Sequence, residues 1–243
     1  YCKTDIICDF RQADMAVGGC GAPLVPIFHK ALIHRAKYPA AVINIGGVAN
    51  LSYIDNNNLI GFDTGPGNAI INDLMQQYFD KQLDVDGNIA AKGAINKELI
   101  EKFIADSYFI SLYPKSLDRN HFAKYFGEVK TASKPEDLVA TATYLTAKTI
   151  LKSFALLPNQ PKHVYICGGG ARNKVMMQHL RNLLPTDTKM ANIDELGFNA
   201  DFLEAQAFAF LAVRSAKALP MTFPATTGCM RPVSGGILCK YVY

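Results

Sequence analysis

One stretch constrains the fold more than any other: AAVINIGGVANLSYIDNNNLIGFDTGPGNAIINDLMQQYF, from Ala40 to Phe79. It holds three short apolar runs, AAVINIGG, ANLSYID and NLIGFD, separated only by GGV and DNNN. Linkers that short cannot carry a parallel crossover, so the runs predict an antiparallel meander. A helical pattern, AIINDLMQQYF, starts directly after Asn68. Far downstream, HVYICGGG reads as a buried strand ending in glycines, followed by the helix NKVMMQHLRNLL. A strand cluster, then helices, then a strand–glycine loop–helix unit predicts an α/β chain with a mixed sheet and flanking helices.

The remaining segments fit around that frame. Residues 3–10 read as a short strand, and GGCGAPLVP (Gly18 to Pro26) as a loop. PIFHKALIHRA is helical, with Ile27, Leu32 and Ile33 on one face. Lys97 to Ser107 is a second helix. Ser133-Lys134-Pro135-Glu136 has the spacing of a capping box with an early proline, opening a long helix to about Leu157. DTKMANI predicts an edge strand, Asp201 opens the last long helix, and the tail ends in a terminal strand.

Composition excludes several classes. The 243 residues are 49% hydrophobic, enough for one large or two modest cores. The net charge of +4 is spread along the chain with no Lys/Arg run, which argues against nucleic acid and a membrane surface as partners and is compatible with phosphorylated ligands. No apolar run is long enough to span a bilayer. The six cysteines lack C-x-x-C or zinc-ligand spacing, so reduced thiols in a cytoplasmic protein are expected. Asn50-Leu51-Ser52 matches a glycosylation sequon but falls in a strand and is read as chance. The chain opens in mid-strand without an initiator Met, as a fragment would.

Six stretches could carry chemistry. In INIGGVANL, Gly46 and Gly47 at a hairpin tip would let backbone N–H groups approach a phosphate; a plain turn is the plainer reading. In CGGGARN, Gly168, Gly169 and Gly170 follow a buried strand, where open α/β sheets bind nucleotides, although a flexible loop explains them equally. In GFDTGPGN, Gly65, Gly67 and the helix start at Asn68 suit an anion, yet Asp63 does not. A carboxylate there serves as a magnesium ligand, as a general base, or merely as an Asx-turn. Glu204 is the sole charge between Asp201 and Arg214, and either caps the helix from Asp201-x-x-Glu204 or aims at a cleft. Asp9, Arg11 and Asp14 cluster after a strand, as a substrate clamp or a surface ion pair. Lys115 and Arg119 are candidate anion contacts, and the five scattered histidines read as structural.

Taken in order, DFRQADMAVGGCGAPLVPIFH, NIGGVANLS, GFDTGPGN, PKSLDRNHF, CGGGARN and ADFLEAQAFAFLA resemble the anhydro-N-acetylmuramic acid kinases over essentially the whole chain. The resemblance implies an actin-like (ribonuclease H-like) ATPase lobe that binds MgATP and 1,6-anhydro-N-acetylmuramic acid. It implies Asp63 as the base that activates water and Glu204 beside the same water. Asn44, Gly46 and Gly47 correspond to a phosphate-binding hairpin, and Gly168, Gly169, Gly170 and Asn173 to the adenosine motif. Arg11 and Asp14 fall on the sugar side. It divides the chain into residues 1–38, the remainder of an N-terminal lobe with a connecting helix, and 39–243, the C-terminal ATPase-type lobe. A homodimer is implied as well. Cys20 stands where the family has Gln, and Leu117 and Asp118 replace the small pair of its P-K-S-T-G-R-E motif, which keeps another amino sugar open as substrate. A G-T-S-x-D-G loop, the family's first phosphate motif, does not occur in the sequence. The chain is therefore expected to be the C-terminal portion of a kinase, inactive alone. A non-catalytic nucleotide-binding remnant is the rival of a different class, disfavoured by the presence of both Asp63 and Glu204.

Overall fold

The computed structural model describes residues 3–127 and 134–241. Strands β2 (Ala40–Ile45), β3 (Val48–Ile54) and β4 (Leu59–Pro66) form the expected meander. Strand β5 (His163–Cys167) pairs parallel to β2, and the edge strand β6 (Lys189–Asn192) pairs parallel to β5. The sheet order is β4-β3-β2-β5-β6. The sheet is thus mixed, an antiparallel triplet continued by two parallel strands.

Nine helices are defined among the described residues: α1 (Gln12–Met15), α2 (Pro26–Leu32), α3 (Ala69–Phe79), α4 (Lys97–Ile104), α5 (Ala123–Gly127), α6 (Pro135–Ser153), α7 (Lys174–Leu183), α8 (Leu203–Ala216) and α9 (Pro224–Thr227). Alternation along the strands divides them between two faces. Ala41, Ile43, Ile45, Leu51, Tyr53, Ile60 and Phe62 pack on one face with Ile71 and Leu74 of α3, Phe103 of α4, Leu145 of α6 and Met176 of α7. Ala40, Val42, Tyr165 and Cys167 face the other way, onto Phe28 of α2 and Leu203 and Ala207 of α8. The sheet is thus buried on both faces, which explains why its central strands are almost wholly apolar.

The two chain ends meet. Strand β1 (Ile6–Cys8) pairs antiparallel with β7 (Ile237–Cys239) in a separate two-stranded ribbon. Leu24, Leu211 and Met221 form a small core nearby. No helix among the described residues is long and apolar enough to cross a membrane. Cys8, Cys20, Cys167, Cys229 and Cys239 are free thiols, and Cys2 lies outside the described residues.

Neither stretch with capping-box spacing starts its helix where that spacing would place it. Helix α6 is capped at Lys134 without a side-chain bond, with Pro135 at its first turn; Ser133 lies outside the described residues. Helix α8 begins at Phe202, after a 3-10 turn over Ala200–Phe202, so Glu204 sits one residue short of the position that closes a box.

Candidate active site

The carboxyl ends of β2, β4 and β5 lie at one edge of the sheet, where open α/β sheets place their crevices. Register aligns four polar side chains there. Asn44 pairs with Cys167 on one side and Asn50 on the other, and Asn50 pairs with Asp63. Directly paired residues project from the same face, so Cys167, Asn44, Asn50 and Asp63 form one row across four strands. The row lies on the face covered by α2 and α8. Strand spacing puts Asp63 about 10 Å from Asn44, two strands away.

Asp63 is held by a strap from the 3-10 turn Ser107–Phe109 to Arg119. Its N–H donates to the Lys115 carbonyl (3.1 Å), and its own carbonyl accepts from the Tyr108 hydroxyl (2.6 Å). The Leu117 N–H donates to Asp63 Oδ2 (2.8 Å). The strap therefore seals the exposed edge of β4 and fixes one carboxylate oxygen while leaving the other. Burial pushes the Asp63 carboxyl up to about 6, against the opposing pull of the Leu117 bond. A carboxyl poised there exchanges protons near neutral pH. Because the Leu117 contact uses main chain, the Leu117–Asp118 pair keeps it whatever its side chains are.

Neither candidate cation of the strap is a free surface charge. Lys115 Nζ donates to the Tyr108 carbonyl (2.7 Å) and lies over the Tyr108 ring, 4.5 Å from its centre. Burial draws its ammonium down to about 8. Arg119 pairs with Asp73 of α3 at 2.6 Å, with both side chains exposed.

The glycines divide into two groups. A side chain at Gly67 would strike the Gly46 carbonyl oxygen, because the N–H groups of Gly67 and Ala69 donate to Gly47 and that of Asn68 to Gly46. Gly168, at φ +80°, lies against Asn44, and Gly170 against Ile45. The packing of the loop requires these glycines. Gly47 and Gly169 differ: a methyl group at Gly47 meets nothing within 4 Å, and at Gly169 only Asn68 Nδ2 at 3.9 Å. Their bare backbone faces open space.

Three cavities adjoin this edge. One of about 200 Å³ is lined by Asn44, Cys167, Gly168, His29 and Glu204, so α8 aims Glu204 at the strand ends. One of about 350 Å³ lies between Asn68, Asp84, Gly169, Arg172 and Asn173. The third, about 340 Å³, is bounded by Gly168, Gly169, Arg172, Asn192 and Asp194. His29 is buried, bonded to Ser52 Oγ at 2.8 Å and drawn down to about 3 by desolvation, so it is a neutral structural histidine as expected. Among the described residues no group of three or more His, Cys, Asp or Glu is placed to hold a metal ion.

One expected ligand contact is corrected. Asp14 is 1% exposed and fully engaged: Oδ2 accepts from the Gly21 N–H (2.8 Å) and Oδ1 from the Thr227 hydroxyl (2.6 Å). Desolvation opposes its charge, but bonds from Thr222, Thr227 and Gly21 outweigh it and hold the carboxyl below its usual range. It ties the GGCGAP loop to the C-terminal tail. Asn173 Oδ1 caps α7 by accepting from the Met176 N–H (3.0 Å), and the residue also lines the cavity of about 350 Å³. Arg11 is exposed at the start of α1, with no ion pair to Asp9 or Asp14. Sequence reasoning missed Tyr108, Arg172 and Asn50. Asn50 carried a signal in its alternation with Ser52 on one strand face.

Comparison with known proteins gives the following. The family model for anhydro-N-acetylmuramic acid kinase matches residues 2–240. A curated relative of that name from Methylorubrum populi is 44% identical over 238 residues, covering 97% of this chain and 62% of the relative. Another from Rhodopseudomonas palustris is 44% identical over 241 residues, covering 98% of this chain and 65% of the relative. The chain thus spans less than two thirds of the length of these relatives. Among solved structures, xylulose kinase from Rhodospirillum rubrum aligns with 74% of this chain and 40% of its own at 12% identity and a TM-score of 0.43.

Proposed function

Since the chain belongs to the anhydro-N-acetylmuramic acid kinase family, we propose that it provides the ATP-binding, base-bearing lobe of an enzyme that opens 1,6-anhydro-N-acetylmuramic acid. In that reaction water attacks the anomeric carbon, the anhydro bridge breaks, and O6 takes the γ-phosphoryl group of ATP. The product is N-acetylmuramic acid 6-phosphate, and the setting is cytoplasmic peptidoglycan recycling. The observation that carries this reading is the half-buried Asp63, with one oxygen bound by Leu117 and the other unengaged, beside a glycine-lined strand edge.

In this reading Asp63 accepts the proton of the attacking water, and its raised pKa matches that task. Glu204 lines the cavity at the same strand ends, beside that water. Gly46, Gly47 and Gly169 leave backbone free of side chains for the phosphates and the nucleoside. Gly65, Gly67, Gly168 and Gly170 shape those loops. Asn44 orients the ligand from the middle of the row, and Arg11 belongs to the sugar side. Magnesium would arrive on the ATP phosphates, which suits an ion that keeps its waters and needs few protein ligands. The reading also calls for a facing lobe with the other phosphate loop; the expected division at residue 38 does not set α2 and β1 apart, since Phe28 packs on the sheet and β1 pairs with β7.

The test incubates the natural protein with ATP and magnesium and either the anhydro sugar or other N-acetylated amino sugars. Mass spectrometry is expected to find a product heavier by one water and one phosphoryl group only from the anhydro sugar. Equal phosphorylation of a non-anhydro sugar supports the second reading, which the Leu117–Asp118 replacement motivates. ATP binding without any turnover would leave the nucleotide-binding remnant.

A further inference from the structure

The polar row contains a residue that the proposed mechanism has not used. Asn50 sits between Asn44 on β2 and Asp63 on β4. Its Oδ1 is buried and accepts no hydrogen bond among the described residues. A buried amide oxygen without a donor costs stability, so its presence in an otherwise satisfied strand calls for a partner from outside the chain. No hydrogen bond joins Asn50 to Asp63, although the two are directly opposite.

The strand geometry makes the pairing specific. Asn50 faces Asp63 while Ala49 faces Gly65, so Thr64 is an extra, bulged residue. The Thr64 hydroxyl holds the bulge by donating to the Ala49 carbonyl (3.2 Å). Bulges re-aim neighbouring side chains and recur beside active sites. Opposed side chains start about 5 Å apart at Cβ. A water donating to two oxygens at about 2.8 Å each spans roughly 4.5 Å, which fits that gap.

We propose that Asn50 is a water-positioning residue: its side-chain oxygen and the unengaged oxygen of Asp63 together receive the two hydrogens of one water molecule. Two oxygens match the two hydrogens of water and fall far short of the six ligands a magnesium ion takes. The inference rests on the reading of Asp63 as base and adds an orientation to it. As the water oxygen bonds to the anomeric carbon and the carbon–O6 bond breaks, the hydrogen directed at Asp63 passes to the carboxylate. The hydrogen directed at Asn50 remains on the new hydroxyl. With both hydrogens held, a lone pair of the oxygen is directed at the carbon.

The test has two parts, both on the natural protein. A high-resolution crystal structure is expected to show an ordered water within hydrogen-bond reach of both Asn50 and Asp63. Absence of that water, or an Asn50 amide bonded within the protein, overturns the proposal. In parallel, Asn50→Leu and Asn50→Ser are compared with the parent. Asn50→Leu should leave the melting temperature unchanged or higher, because it removes an unpartnered polar atom, and keep ATP affinity within about twofold. It should lower kcat about 100-fold, the scale of a misplaced reactant. Asn50→Ser, which keeps an acceptor oxygen, should recover part of the rate. Loss of stability with an unchanged rate would make Asn50 structural and sink the idea. Failure of the parent to act on the anhydro sugar would refute the proposed function instead, and the crystallographic water alone would then decide the Asn50 pairing.

Discussion

Replacing Asp63 by Asn should make the protein more stable at neutral pH, and the size of the effect follows from the burial of the carboxylate. Folding raises the Asp63 carboxyl from its ordinary 3.8 to about 6. Between those values the folded state holds a proton that the unfolded state has released. Stability therefore falls as pH rises from about 4 to 6, and the penalty is complete above that. Two pKa units correspond to about 3 kcal/mol, and some solvent access to the side chain reduces this to about 2–3 kcal/mol. Asn carries no charge and keeps an oxygen for the Leu117 N–H, so the variant should escape the penalty. For a chain of this size the gain amounts to roughly 5–10 °C in melting temperature. Differential scanning calorimetry of both proteins from pH 4 to pH 8 is the assay. The difference should be near zero at pH 4, grow through pH 6 and level off. A difference that is independent of pH, or an Asn variant less stable at pH 8, would refute the reasoning. The carboxylate would then be well solvated or specifically bonded, and poorly suited to serve as a base.

Other expectations follow from the same contacts. Gly47→Ala should melt within about 0.5 kcal/mol of the parent, since its methyl meets nothing, yet weaken ATP binding at least tenfold by calorimetry. Gly67→Ala should instead lose on the order of 2 kcal/mol or more, because its methyl strikes the Gly46 carbonyl. Asp14→Asn should cost on the order of 2 kcal/mol in urea unfolding at pH 7 by weakening the bonds from Gly21 and Thr227. Because folding lowers the Asp14 pKa, that contribution is present above the unfolded value and disappears as acid protonates the carboxyl. Leu117→Pro removes the N–H that favours the charged form of Asp63, so the Asp63 carboxyl should titrate about one unit higher by carbon-13 NMR.

Local chemistry made much of the fold legible. Two-residue alternation and the short glycine and asparagine linkers identified the meander of β2, β3 and β4, and the apolar run before Gly168 identified β5. The placing of Asp63 at the end of an apolar run and the outlying charge of Glu204 were visible for the same reason. What failed depended on partners distant in the chain. Asp14 resembles a ligand contact until Thr227, more than two hundred residues away, is found on its carboxylate. Asn50 passed as a chance sequon because its meaning lies in register, which pairs it with Asp63 across a bulge. The strap over Asp63 was hidden similarly: Leu117 acts through its N–H, which no side-chain pattern reveals.

The central claim is that Asp63 is the base. Its most direct test is the turnover of ATP and the anhydro sugar by the natural protein carrying Asp63→Asn, measured alongside ATP affinity. The account predicts a fall in turnover of 100-fold or more, the scale of a lost general base, with ATP affinity within about twofold of the parent. Turnover within tenfold of the parent would contradict it and move the base elsewhere in the site.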